Sequence, residues 1–461
     1  MNVTIAANGH YWGVQILVQI NANDQSEAVT ITTRPSGFYQ GFNPVVALMP
    51  KILVAALILW VGLSPSAAGQ VLLDVQTWST QNFGGWYVYV TAFYTIVCLT
   101  LGIWPRTAHV KLGQAGDAPE FSMFTWLSMM FGAGIGIGML TYSTAEPIFH
   151  FANNPDTIKG LTTGLDEDNV RNAYKWAMLH YGLTPWACYG VVGISLGYLS
   201  YNRGLPLTIR SALQPLFGRA MSGGFGHVVD IVAILATIVG LSVTIGYGVS
   251  QFASGLFNIS GADWLVGVGG KPTLLAQLMG LILIISASCL SAMSGLQKGI
   301  KWLSNINMGL SVFLIAFFVL FGATFFALQT FFYTIWDYLI ALPAMSTTVW
   351  QAAGTETSVA LESWQASWSI FYWAWWIAFA PFVGLFLARV SRGRTIREYV
   401  IGAMIIPSLI CLVWFAFIGA TAIDLEVSGI AQGAIVNADI SAQLFETIKL
   451  SLTPELAVGL S

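Results

Sequence analysis

The sequence predicts an all-α polytopic membrane protein, and three observations carry that prediction. Charges are too few for a soluble chain, apolar runs of membrane-spanning length recur, and basic residues sort by loop. Of 461 residues, 56% are hydrophobic and only 8% charged, against roughly 25% charged in soluble domains. Runs of about 20 apolar residues can cross a bilayer as helices. Nine are readable, near 45–66, 84–104, 122–151, 173–200, 228–258, 273–293, 303–329, 367–388 and 400–423. With the N-terminus placed in the cytoplasm, 13 of the 18 Lys and Arg fall in inner segments, among them Arg34, Arg106, Lys111, Arg203, Arg210, Arg219 and the cluster Arg389, Arg392, Arg394 and Arg397. Only Lys159, Arg171, Lys175, Lys271 and Lys449 fall outside. This is the positive-inside asymmetry, so span count and orientation support each other. The setting is a cell membrane, multi-pass, in contact with lipid and without a nucleic-acid partner.

Residues 1–43 carry Asn, Thr, Gln and Gly and no apolar core beside basic residues, so they read as a loosely ordered cytoplasmic tail rather than a signal peptide. The outer segment after the first span holds Asp74. Cys98, Cys188, Cys289 and Cys411 all lie in spans and read as small buried hydrophobes.

The third span holds the stretch 131–147, F-G-A-G-I-G-I-G-M-L-T-Y-S-T-A-E-P, with glycines at 132, 134, 136 and 138. Each costs a helix about 1 kcal/mol relative to alanine. Close packing between helices is one explanation. A break that frees backbone carbonyls for a ligand is the other, and four glycines at alternate positions favour it. No strand precedes the stretch, so its likeness to a dinucleotide-binding fingerprint carries nothing.

In the fourth span, H-Y-G-L-T-P-W-A-C-Y places Trp186 and Tyr189 about 60° apart on one helix face, with Tyr181 on the broader side of it. In the eighth, Tyr372, Trp376 and Phe379 recur at helical spacing, with Trp375 adjacent. An interfacial aromatic belt competes as an explanation. The depth of Pro185 and Tyr189 favours instead a box for a quaternary ammonium group, held by cation–π attraction of up to about 2 kcal/mol per contact. Such a box needs no buried counter-charge.

Glu146 is the acid well inside the third span, equally readable as functional or as tied to backbone near a helix end. Asp230 reads as structural, and His180, which begins the fourth span, as a satisfied helix-end residue rather than a proton relay. The segment 330–366 is long for a connection, and residues 331–338 read as an amphipathic helix at the outer interface, as do 440–450. No span carries a nucleophile and base pair or metal-ligand spacing, so an enzyme is not expected.

The stretch M-F-G-A-G-I-G-I-G-M-L…A-E-P-I-F-H-F, the fourth-span segment and above all F-Y-W-A-W-W-I-A-F-A-P-F-V-G-L-F-L-A-R-V-S-R-G-R-T-I-R-E-Y resemble the betaine/carnitine/choline transporter family, from about residue 44 onward. The resemblance implies a leucine-transporter-like fold, with two peripheral helices followed by inverted five-helix repeats. It implies sodium-coupled uptake of a betaine-type onium zwitterion such as glycine betaine. The substrate site would comprise Tyr181, Trp186, Tyr189 and Trp376 with Gly134, Gly136 and Gly138; Trp375 and Phe379 would lie on the exit path. Carbonyls of Gly132 and Ile135 would ligate Na⁺, with no other cofactor. Tyr181 and Phe379 stand where the family generally has Trp, which keeps a ring with a weaker quadrupole and brings a smaller or sulfonium-type compound such as dimethylsulfoniopropionate into range; choline and carnitine are further alternatives within the family. Some relatives form homotrimers. The resemblance gives 1–43 as tail and 44–461 as an incomplete transporter domain of about nine spans. The last three spans, with the hydroxyl half of the sodium site, are then expected to be missing, and a non-transporting onium sensor is the alternative.

Overall fold

The computed structural model describes residues 29–452 apart from 135, 296–298 and 300. Within that range the chain is helices joined by turns. Most of the predicted loose tail, residues 1–28, and the last residues, 453–461, lie outside it.

Pro and polar caps set the first boundaries. Pro44 opens α1 (Pro44–Leu63), and the Asn43 side chain accepts from the Val45 and Val46 N–H groups, satisfying donors the helix cannot. Pro65 restarts the chain at once into α2 (Pro65–Ile103), 39 residues long. Asp74 is therefore within a helix and not in the loop expected from sequence; with Gln70 one turn away, it accepts a bond of 2.8 Å. Both helices turn apolar side chains such as Ile58, Leu59, Phe93 and Ile96 outward.

The third span is broken into α3 (Met123–Gly134) and α4 (Ile137–Ala152), the two bent by 65°. The fourth is broken as well, which the sequence reading missed. It runs as α5 (Val170–Tyr181) and α6 (Leu183–Gly197), separated at Gly182 with φ −83 and ψ −142. Beyond it come α7 (Gly224–Ser260), α8 (Leu274–Met293) and α9 (Lys301–Phe321). The seventh span thus stops at Phe321 rather than 329, and α10 (Thr324–Met345) follows a short break. The expected interfacial helix at 331–338 is the middle of α10. It exposes Phe332 and Trp336 but buries Tyr338, whose hydroxyl accepts from the Leu183 N–H at 2.8 Å. Tyr338 therefore plugs the break at Gly182: a Cβ on Gly182 would stand 2.5 Å from that hydroxyl and 2.5 Å from the Met178 carbonyl.

The long helices α11 (Glu356–Val390) and α12 (Ile396–Val427) complete the bundle. Among the described residues, eight helices are long and apolar enough to span a membrane, with the bent α3–α4 pair as a ninth. The protein is a multi-pass all-α membrane protein. Wide π-type turns interrupt α11 at Ala366–Ile370 and α12 at Phe415–Gly419; such turns free backbone groups, and the Phe415 carbonyl accepts from Tyr174 at 3.0 Å. Helix α6 packs closely on α11 and α12, and Gly193 makes that possible. A Cβ there would overlap the Tyr399 hydroxyl, the small-residue contact membrane helices rely on. Three cysteines are buried as expected, but Cys289 is exposed on the outer surface of α8. The short helix α13 (Gln443–Ser451) starts later than 440 and is no surface element: Leu444, Phe445, Thr447 and Ile448 are buried.

The basic motif after α11 is a structural clasp. Gly393 N–H and Ile396 N–H donate to Leu112 O and Val110 O, both at 2.8 Å. Arg394 lies 4.6 Å over the Trp126 ring and donates to Phe121 O at 2.9 Å; Arg397 caps α2 at Gly102 O. In the same clasp, the Gln114 backbone N–H and the Arg392 guanidinium hold the Asp117 carboxyl below the usual carboxylate range. Asp230 is structural as expected, paired with the buried Arg210 at 2.6 Å.

Candidate aromatic cage

The glycine stretch gives the site its floor. Gly134 ends α3, Gly136 occupies the break with φ −117 and ψ −139, and Gly138 lies in the first turn of α4. A Cβ on Gly138 would stand 3.4 Å from the Trp375 ring, so backbone and indole are already in contact. The Tyr181 hydroxyl meets the Gly138 carbonyl at 3.4 Å. Gly132 faces Ser304 of α9. Ile135, the other expected sodium ligand, lies outside the described residues.

Four rings from three helices, α5, α6 and α11, form the walls. Trp376 lies 5.1 Å from Trp186, 5.0 Å from Tyr189 and 6.0 Å from Tyr181, centre to centre. Their planes meet at 49–83°, tilted to edge-on contacts of the kind aromatic rings prefer, and all four line one cavity, where ring quadrupoles can attract a cation. The break at Gly182 explains how Tyr181, on α5, joins Trp186 and Tyr189, on α6. The Trp186 indole N–H donates to Tyr181 O at 3.1 Å across it. Helical spacing alone placed Trp186 and Tyr189 together, 5.9 Å apart; it could not supply the bend.

The rings open into a cavity of about 520 Å³, lined also by Gly132, Gly136, Gly138, Met139, Ser304, Trp375, Phe379 and Cys411. Of the expected site, Gly132, Gly136, Gly138, Tyr181, Trp186, Tyr189, Trp375, Trp376 and Phe379 thus line one space. Trp375 and Phe379 share the cavity with the cage.

Sequence reasoning missed a second aromatic layer. Tyr142 donates to the Tyr247 hydroxyl at 2.8 Å and lies 5.7 Å from Tyr372. Tyr372 stands edge-on to Tyr181 at 5.4 Å. Tyr372 was visible as part of a helical periodicity, but nothing local marks Tyr247.

Behind this layer sits the polar centre of the protein. Glu146, His150 and His180 are fully buried. The Tyr372 hydroxyl donates to Glu146 Oε2 at 2.6 Å; His180 Nδ1 and His150 Nε2 approach Oε1 at 2.5 and 3.2 Å. His180 is, as expected, a satisfied helix-end residue, though in the last turn of α5 at the mid-span break rather than at the start of the span, with its other nitrogen 2.9 Å from Ser369 Oγ in the wide turn of α11. Glu146 is tied to side chains of three helices rather than to backbone. These three residues also have the donor set of a metal centre, a grouping that sequence spacing did not reveal because His180 comes from another helix.

A cavity walled by four rings and floored by an opened helix suits an onium compound. Comparison with known proteins agrees. The family described as BCCT, betaine/carnitine/choline family transporter, matches residues 45–458. A glycine betaine transporter of Bacillus subtilis is 37% identical over 377 residues, 82% of this chain and 70% of the relative. An osmo-dependent choline transporter of Acinetobacter baylyi is 37% identical over 392 residues, 83% of this chain and 53% of its own. A high-affinity choline transport protein of Escherichia coli is 39% identical over 357 residues, 76% of this chain. The chain spans about half the length of the two choline transporters. These relatives are named as transporters, a non-enzymatic class, and on the extent of the match the chain belongs to the betaine/carnitine/choline transporter family.

Proposed function

We propose that this chain carries the substrate site of a secondary transporter for quaternary ammonium compounds, sodium-coupled and taking up a betaine-type zwitterion such as glycine betaine across the cell membrane, with its N-terminus in the cytoplasm. The observation that carries the reading is the four-ring cage of Tyr181, Trp186, Tyr189 and Trp376 over the broken helix. Cation–π contacts hold a permanent cation without an ion pair. The Trp376 indole N–H has no partner among the described residues, and a substrate carboxylate is an acceptor for it. Glycines rather than an acid at 134, 136 and 138 support a zwitterion and Na⁺, with carbonyls of Gly132 and Ile135 as half of the cation site. Trp375 and Phe379 then line the way out. Lipid covers the apolar outer faces of α1 and α2, or a neighbouring copy does in a homotrimer. The sulfonium dimethylsulfoniopropionate, choline and carnitine are the competing substrates.

Calorimetric titration of the chain in lipid nanodiscs with each of the four compounds, with and without Na⁺, tests this. Glycine betaine is expected to bind more tightly with Na⁺ than with K⁺ at equal ionic strength. Binding that ignores Na⁺ would overturn the coupling, and no onium binding at all would overturn the site. Uptake of labelled glycine betaine by cells expressing the chain separates a transporter from an onium-binding sensor.

A further inference from the structure

A box of rings alone needs no counter-charge, yet a carboxylate stands directly behind this one. Glu146 makes three side-chain contacts, and all three partners can donate. The Tyr372 hydroxyl serves Oε2. His180 Nδ1 lies 2.5 Å from Oε1 and its Nε2 2.9 Å from Ser369 Oγ; in the Nδ1–H tautomer it donates to the carboxylate and accepts from the serine. His150 Nε2 lies 3.2 Å from the same Oε1, to which its Nε2–H tautomer donates, and its Nδ1 has no partner among the described residues. Each contact is satisfied with both imidazoles neutral and the carboxylate ionised, a net charge of −1. No Lys or Arg pairs with it among the described residues. A lone buried carboxylate is strongly unfavourable in a membrane interior; three charge-assisted hydrogen bonds are what makes one tenable.

The charge connects to the cage through one ring. Tyr372 binds Glu146 by its hydroxyl, stands edge-on to Tyr181 at 5.4 Å and stacks beside Trp375 at 6.1 Å. The negative charge is thus one ring's width from the cavity wall. The bond it accepts also pushes electron density into the Tyr372 ring. We propose that Glu146, ionised and held by Tyr372, His180 and His150, is the counter-charge of the cage and a positioning residue that selects cations over neutral groups of the same shape. This rests on the cage reading. The competing use of the three donors, a bound metal ion, fits less well. His180 Nδ1 and Glu146 Oε1 are already in direct hydrogen-bond contact at 2.5 Å, and metal ligands at about 2.0–2.2 Å from zinc stand farther from one another.

The test compares glycine betaine with 3,3-dimethylbutanoate, its carbon isostere, which keeps the carboxylate and the shape but not the positive charge. Both are titrated against wild type, Glu146→Gln and Tyr372→Phe. Gln keeps the volume and one acceptor and removes the charge. At an effective dielectric near 20, loss of one charge a ring's width away should weaken betaine about tenfold and leave the isostere equal or tighter. Tyr372→Phe keeps the ring and should shift the ratio the same way by a smaller factor. A merely structural role would weaken both ligands together, and an unchanged ratio in Glu146→Gln overturns the inference. So does one equivalent of zinc bound by wild type and lost with the variant. If betaine binding depends on Trp376 but the ratio does not depend on Glu146, the counter-charge alone falls. If wild type binds no onium compound, the cage reading falls and takes this with it.

Discussion

Replacing Trp376 by alanine removes the ring that the other three face, at 5.1, 5.0 and 6.0 Å. A desolvated cation–π contact with an indole contributes about 2 kcal/mol, so its loss should raise the glycine betaine Kd about thirtyfold. Trp376 is also buried, and emptying an indole from a packed site lowers stability by about 3–5 kcal/mol. The affinity loss must therefore be separated from a folding loss. Trp376→Phe does this: it refills most of the volume and keeps a weaker quadrupole, so affinity should fall by roughly threefold to tenfold with a small change in melting temperature. The control is Trp368→Ala on the same helix. Trp368 packs on His150 at 4.5 Å and Phe149 at 5.5 Å and does not line the cavity. It should cost stability with little change in Kd. The assay is calorimetric titration in nanodiscs, with thermal melts on the same samples. Equal affinity losses in Trp368→Ala and Trp376→Ala, or wild-type affinity in Trp376→Ala, would refute the cage.

Two further outcomes follow from the scaffold. Gly182→Ala places a Cβ 2.5 Å from Met178 O and the Tyr338 hydroxyl; overpacking of this kind lowers stability by about 1–3 kcal/mol, and an unchanged melt would remove the plug described for Tyr338. Asp117, with its carboxyl held below the ordinary range by Gln114 N–H and Arg392, contributes stability that is present above its unfolded pKa of about 4 and is lost as pH falls through its lower folded value. The melting difference between wild type and Asp117→Asn should therefore be present at neutral pH and vanish on acidification; a difference that persists in acid would assign Asp117 another role.

The cage was legible because its parts are local. Trp186 and Tyr189 are one turn apart, Trp375 and Trp376 are adjacent, and aromatic residues deep in a span are conspicuous against an aliphatic background. The break in the third span was legible too, since four alternate glycines weaken a helix wherever it is placed. The break at Gly182 was not. A single glycine before a proline-containing segment is common, and what opens this helix is Tyr338, more than 150 residues away, bonding the Leu183 N–H. The partners that satisfy His180 were hidden for the same reason. Its partners Glu146, Ser369 and Tyr372 come from other helices, and no spacing along one helix encodes them.

By itself, then, the sequence determined the membrane setting, most spans, the ring types and the family. Those follow from hydropathy and from helical periodicity, which act over one or two turns. Tertiary packing decided where charge and aromatic faces meet. Glu146 lies in the third span, and only the crossing of α4 with α5 and α11 surrounds it with three donors and puts one tyrosine ring between it and the cage. Hydrogen bonds and ring contacts are short-ranged. Which ones form depends on how the helices cross, and the pattern of any single helix leaves that crossing open.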